Sequence, residues 1–160
     1  MSDHGWHQRL TVQRGDFGGL TMAYLPNEVP GPKPRDHDKT FWEFCQQREL
    51  RFQRCLSCRR FRHPPAPVCQ RCHSFESEWL RAPETGEVFS FTIVHHPAHP
   101  AVASITPYNV IIVDFPEYDH VRLVSNLIDA TSDEIHIGLR VALVWETAGN
   151  GMIVPRFKRL

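Results

Sequence analysis

No run of apolar residues in this chain approaches the ~20 needed to cross a bilayer as a helix. The opening Met1-Ser2-Asp3-His4-Gly5-Trp6-His7 lacks the basic stretch and following apolar stretch of a secretory leader. The expectation is a soluble, cytoplasmic protein whose thiols stay reduced. An excess of charge is missing too, since Lys plus Arg number 18 and Asp plus Glu number 18. That balance argues against a protein that coats nucleic acid or an anionic membrane with its whole surface. Catalytic signatures are also lacking. The chain has no Gly-rich phosphate loop, no G-x-S-x-G elbow and no paired-carboxylate motif, and no internal repeat or low-complexity tract.

The zero net charge is a cancellation between segments. Residues 48–81 carry 8 basic and 3 acidic groups, whereas residues 82–137 carry 1 basic and 8 acidic. Ten of the thirteen prolines cluster at 26–34, 64–67 and 97–107 and punctuate the chain. Residues 1–37, rich in Pro and Gly, have no helical period and favour extended or turn backbone. They form an N-terminal arm, either a partly ordered tail or a segment that packs on a partner.

A short helix is predicted to start at a capping box with Thr40 as N-cap and Glu43 three residues on. Phe41, Phe44 and Cys45 make its apolar stripe. Cys45 on that stripe reads as a small buried hydrophobe rather than a nucleophile. Leu50 to Trp79 has the short strands and tight turns of a ribbon. Five strand-like segments follow: 87–95, 108–115, 121–128, 139–146 and 152–157. In the first, Phe89, Phe91 and Ile93 alternate with Ser90 and Thr92, the period-two pattern of a half-buried strand. Asp129–Gly138, between the third and fourth, is a longer connection with room for one helical turn. Five short strands so arranged suit an OB-type barrel. The predicted fold is mainly β: an arm (1–37), a helix plus zinc ribbon (38–80) and a five-stranded OB-fold domain (81–160).

Chemistry concentrates in one place. Cys55-Leu56-Ser57-Cys58 and Cys69-Gln70-Arg71-Cys72 are two C-x-x-C knuckles ten residues apart. Four soft thiolates converging from two knuckles make a closed tetrahedral metal site, with Cys55, Cys58, Cys69 and Cys72 as ligands. Zinc is the usual occupant, and iron uses the same ligand set in rubredoxin. All four positions are filled by protein, so the metal's role is structural. His63 and His73 flank the knuckles and could compete as ligands, but the four-cysteine set already closes the site. Arg48, Arg51, Arg54, Arg59, Arg60, Arg62 and Arg71 surround them, either offsetting the thiolate charge or receiving phosphates. The tract His95-His96-Pro97-Ala98-His99 reads as a surface loop before a second metal site, because no carboxylate or cysteine sits at ligand spacing beside it.

The pattern as a whole resembles a known family. Phe41-Trp42, the first knuckle, His63-Pro64-Pro65-Ala66-Pro67-Val68-Cys69, Gly86-Glu87-Val88, Ile137-Gly138-Leu139-Arg140-Val141 and Pro155-Arg156-Phe157 follow the order of the zinc-ribbon plus OB-fold family called DUF35, over roughly residues 38–158. Gln70 departs from the proline frequent there and leaves all four sulfurs in place. The resemblance implies a non-catalytic accessory subunit of a thiolase-superfamily partner, such as a thiolase or a lipid-transfer-protein-like retro-aldolase. It implies an acyl-CoA substrate, steroid side-chain or aromatic, and a CoA thioester at the interface. No catalytic residue is carried over. The competing reading is a single-stranded nucleic-acid binder, which OB barrels and zinc ribbons also form. The acidic barrel, whose only basic residue within 82–137 is Arg122, opposes it. An independent enzyme built on the His95–His99 loop ranks below both.

Overall fold

The computed structural model describes residues 23–160, so residues 1–22 of the arm lie outside the described residues. The helix, α1, spans Lys39–Gln46 and buries Phe41 and Cys45 on one face. It begins earlier than the sequence pattern predicts. The N–H groups of Asp38 and Lys39 already donate to the Arg35 carbonyl, so a turn leads into the helix with Asp38 as N-cap and no side-chain cap. Thr40 is therefore inside the helix, and Glu43 faces Lys39 at 3.8 Å instead of closing a capping box.

Three short strands follow: β1 (Arg51–Cys55), β2 (Phe61–Arg62) and β3 (Ser77–Arg81), antiparallel in the order β2-β1-β3. Five more form the second sheet: β4 (Thr85–Val94), β5 (Tyr108–Phe115), β6 (Val121–Ser125), β7 (Arg140–Thr147) and β8 (Ile153–Arg159). Their order is β6-β5-β4-β7-β8. The sheet curls so that its ends meet through a parallel bridge between Leu127 and Phe157. Ile128 N–H donates to the Phe157 carbonyl at 2.9 Å, and Phe157 N–H to the Asn126 carbonyl at 3.1 Å. That closure is the five-stranded OB barrel.

β6 stops at Ser125, three residues short of the predicted end, because residues 126–128 leave β5 to reach β8. The Asn109 side chain fills the gap, accepting from Leu127 N–H and donating to the Leu127 carbonyl, each at 2.8 Å. The alternation in β4 is also broken. A register shift between Val88 and Ser90 turns Phe89 outward and leaves it 42% exposed, while Val88 is buried at 1%. Phe91 and Ile93 keep the core side. Gly86 sits where β4 crosses β5 so closely that a Cβ would lie 2.5 Å from Val113 Cγ1 and 2.9 Å from the Asp114 carbonyl. At Gly138 (φ +84), before β7, the backbone takes a conformation that L side chains rarely adopt.

One core spans helix, ribbon and barrel, with Phe41, Leu50 and Phe52 packed among Val113, Phe115 and Phe157. The described part of the arm packs on the chain's own barrel. Tyr24 N–H donates to Glu146 at 2.6 Å, the Tyr24 hydroxyl accepts from Asn109 N–H at 3.0 Å, and Asn150 donates to the Pro32 carbonyl at 3.0 Å.

Candidate metal centre

The two knuckles are one turn made twice. In the first, Arg59 N–H donates to the Cys55 carbonyl and Cys55 N–H to the Arg60 carbonyl; in the second, His73 N–H donates to Cys69 and Cys69 N–H to Ser74. The residue after each second cysteine, Arg59 or His73, is left-handed, with φ 64 and 60. Each turn thus folds back on itself and aims both sulfurs to one side. Cys55 and Cys72 bring their Sγ atoms to 3.5 Å, as do Cys58 and Cys69. All four sulfurs lie within 4.8 Å of one another. A tetrahedron with metal–sulfur bonds of about 2.3 Å has sulfur–sulfur edges of about 3.8 Å, so the sulfurs are spaced to accept zinc with little movement. Among the described residues this is the one cluster of three or more such side chains able to hold a metal.

The backbone prepares the site for anionic sulfur. The Cys58 N–H points at Cys55 and holds its thiol down at about 6. The Cys72 and Arg71 N–H groups lower Cys69 in the same way. Cys72 receives the Ser74 N–H, but burial and the three neighbouring thiols outweigh it and push this thiol up to about 11. A site with two depressed thiols and one raised one is completed by a divalent cation, which favours all four as thiolates.

The surrounding arginines are mostly spent within the chain. Arg51 pairs with Glu49 at 2.6 Å, Arg54 and Arg59 share Glu78 at 2.8 and 3.2 Å, and Arg60 meets Asp119 at 3.4 Å. Arg62 donates to Gln53 and to the Ala66 carbonyl. Among the described residues Arg48 and Arg71 alone of the seven form neither an ion pair nor a side-chain hydrogen bond. The lone barrel cation of residues 82–137, Arg122, lies 3.4 Å from Asp114 and stacks at 3.4 Å on the Phe89 ring.

The flanking histidines go elsewhere. His73 is exposed in its turn. His63 packs its ring on Phe41 at 4.8 Å and Phe52 at 5.7 Å, away from the sulfurs. Burial lowers its pKa to about 4, against a smaller opposing pull from Asp38. The folded state therefore binds fewer protons than the unfolded chain between the ordinary value near 6.5 and about 4. Stability is untouched above that window and falls as pH drops through it, by up to about 3 kcal/mol. Urea unfolding of wild type and His63→Phe at pH 7 and pH 5 checks this: the wild type is expected to lose more stability on acidification, and equal losses would refute it. In the His95–His99 tract the histidines are exposed, and His99 Nδ1 accepts the Ala101 N–H at 3.2 Å at the start of a short 3-10 helix, Pro100–Ile105. Cys45 is fully buried, and burial pushes its thiol up to about 12, as a structural residue requires.

The model described as the rubredoxin-like zinc ribbon domain of ChsH2 matches residues 42–78, and that of the ChsH2 C-terminal OB-fold domain matches residues 79–146. A solved structure, the Ltp2-ChsH2(DUF35) aldolase, superposes with a TM-score of 0.73 at 38% identity, covering 81% of this chain and 98% of the matched one. The chain belongs to the ChsH2-type DUF35 family. The curated relatives of this DUF35 protein include a "Probable enoyl-CoA hydratase alpha subunit" of Thermomonospora curvata, 41% identical over 79% of this chain. The 3-oxo-4,17-pregnadiene-20-carboxyl-CoA hydratase alpha subunit of Mycobacterium tuberculosis is 29% identical over 86%. This chain spans only 39% and 49% of those two relatives' lengths. A DUF35 domain-containing scaffold protein of Methanothermobacter thermautotrophicus is 29% identical and matched over 90% of its length. A DUF35 structure from Sulfolobus solfataricus, at 16% identity and TM-score 0.56, shares the fold. No helix among the described residues is long and apolar enough to cross a membrane.

Proposed function

We propose that this DUF35 chain is a non-catalytic cytoplasmic subunit that binds and supports a thiolase-superfamily enzyme, a thiolase or lipid-transfer-protein-like retro-aldolase, acting on acyl-CoA thioesters. The observation that carries the reading is the near-complete coverage of the ChsH2(DUF35) chain from an aldolase complex, at 38% identity. A steroid side-chain or aromatic acyl-CoA is the substrate class, in line with the pregnadiene-carboxyl-CoA name of one relative. Zinc held by Cys55, Cys58, Cys69 and Cys72 stabilises the ribbon and, with no open coordination position, takes no part in the chemistry. The subunit meets its partner through exposed apolar side chains such as Phe75 on the ribbon, 77% exposed, and Ile137 before β7, 70% exposed. The CoA thioester lies at that junction.

The nucleic-acid reading loses support at β5 and β6, the strands that OB proteins use for binding. Their single cation, Arg122, is already engaged by Asp114 and Phe89. The test is co-expression with a thiolase-superfamily protein of the Ltp2 type, the class of partner that the aldolase structure's name points to. The two are expected to elute together as a hetero-oligomer, with aldolase or thiolase turnover requiring both. Separate elution, or full turnover by the partner alone, would overturn the reading.

A further inference from the structure

β5 is apolar on both of its faces. Ile111 and Val113 point inward and are buried, while Val110 and Ile112 alternate with them, half-buried and outside the core cluster. An antiparallel sheet with one solvated face ordinarily sets polar residues on that face. The apolar surface continues onto the neighbouring strands. Ile112 lies opposite Val124 of β6, which is 65% exposed, and opposite Ser90 of β4, next to the outward-turned Phe89. On the other side of β4, Gly138 N–H donates to the Val88 carbonyl and Val88 N–H to the Leu139 carbonyl, at 2.8 and 2.9 Å. These bonds run the exposed Ile137 alongside Val88 and Phe89. Ile137, Phe89, Ile112 and Val124 make one apolar band across the outside of the barrel. Single apolar residues on a surface mean little, whereas a contiguous set marks a contact site.

Phe89 is held in its outward position. The register shift between Val88 and Ser90 turns it out, the Arg122 guanidinium stacks on its ring at 3.4 Å, and the buried Asp114 meets Arg122 at 3.4 Å. Bulges that re-aim one side chain recur at functional sites. An aromatic ring fixed beneath an arginine needs little further ordering on contact, and these residue types dominate the centres of protein interfaces. Beyond Phe89, at the charged end of β4, Glu87 and Glu117 line one small notch with Arg140. Among the described residues none of these three forms an ion pair or a side-chain hydrogen bond. Two carboxylates against one cation leave that rim net negative. Residues 82–137 carry 8 acidic and 1 basic group in all, so a second copy of this face would bring like charges together.

We propose, resting on the partnership proposed above, that this band is the face on which the thiolase-superfamily enzyme docks, with Phe89 under Arg122 at its centre. The partner seats an apolar patch there, flanked by a lysine or arginine that meets Glu87 and Glu117. The band, rather than the ribbon tip at Phe75, carries the affinity.

The experiment measures binding of the full zinc-loaded chain to the thiolase-superfamily protein of the co-expression test by surface plasmon resonance. Phe89→Asp and Val124→Asp change exposed positions, so zinc content and Tm are expected to stay as in wild type. Each is expected to weaken binding at least about 30-fold, the effect of removing an interface centre. Arg122→Ala, which frees the Phe89 ring, is expected to cost about five-fold or more. Glu87→Lys is expected to slow association at low salt, and Phe75→Asp to change affinity less than about five-fold. Hydroxyl-radical footprinting of wild type needs no variant to fold: the Phe89 ring should lose reactivity in the complex and the Phe75 ring should not. Wild-type binding that survives both Phe89→Asp and Val124→Asp, or a Phe89 ring equally reactive free and bound, would overturn the docking face and leave the partnership standing. Loss of binding in Phe75→Asp alone would move the contact to the ribbon and overturn it too. A dimer of the chain by itself, dissociated by Val124→Asp in light scattering, would give the face to a second copy. Absence of binding by wild type would overturn partnership and face together.

Discussion

Replacing Cys55 by serine is expected to take bound zinc from one ion per chain to none and to abolish cooperative unfolding of the ribbon. Cys55 ends β1, is fully buried, and its Sγ sits 3.5 Å from that of Cys72. Structural zinc contributes about 10–16 kcal/mol of apparent binding free energy in small ribbons and fingers, because the site exists only in the folded chain. A whole domain is stable by only about 5–15 kcal/mol. Removing one of four ligands therefore removes more than the ribbon can lose. Cys45→Ser is the matching control. It places a hydroxyl in the same core at a cost of about 1–3 kcal/mol and is expected to keep its metal. Metal analysis by plasma emission and circular dichroism melts read both outcomes. A folded, metal-free Cys55→Ser protein would contradict a structural role for the metal.

How much of this was legible in advance follows the range of the interactions. The knuckles are local: two residues between cysteines dictate a turn, and the turn dictates where the sulfurs point. The five barrel strands were legible for the same reason, since alternation along one strand records which face is buried. What escaped the sequence depended on contacts between distant residues. The Phe89 bulge is set by pairing across β5 and the β7 edge, where Val88 N–H reaches the Leu139 carbonyl and Gly138 N–H the Val88 carbonyl. The early end of β6 is set by Asn109, eighteen residues before Leu127. His63 lies close to Cys69 in sequence, where only the closed four-cysteine set argued against it as a ligand, and its ring packs into the aromatic core against Phe41 and Phe52. The sequence left the arginines of the ribbon either offsetting charge or receiving phosphates, and Glu49, Glu78 and Asp119 pair with four of them. A count of charges along a chain does not say which have been neutralised by folding.

The ribbon and barrel are different architectures, and the ribbon is too small to bury a core of its own. Phe52 on β1 joins them. It is fully buried, meets Phe115 of β5 edge-on at 5.0 Å and Tyr118 at 6.0 Å, and supports the His63 ring at 5.7 Å. Phe52→Ala is expected to destabilise the zinc-loaded chain by about 3–5 kcal/mol, the usual cost of deleting a buried ring, with a fall in Tm of about 10 °C or more. Truncating the exposed Phe75 is expected to change stability by less than about 0.5 kcal/mol. Because the joint is one continuous core, urea unfolding of wild type followed by tryptophan fluorescence and by zinc release should trace a single transition. In Phe52→Ala the two signals should separate, the barrel melting while the metal still holds the knuckles. Two separated transitions already in wild type, or a loss below about 1 kcal/mol on truncation, would mean that metal alone holds the ribbon and that the barrel neither needs it nor supports it.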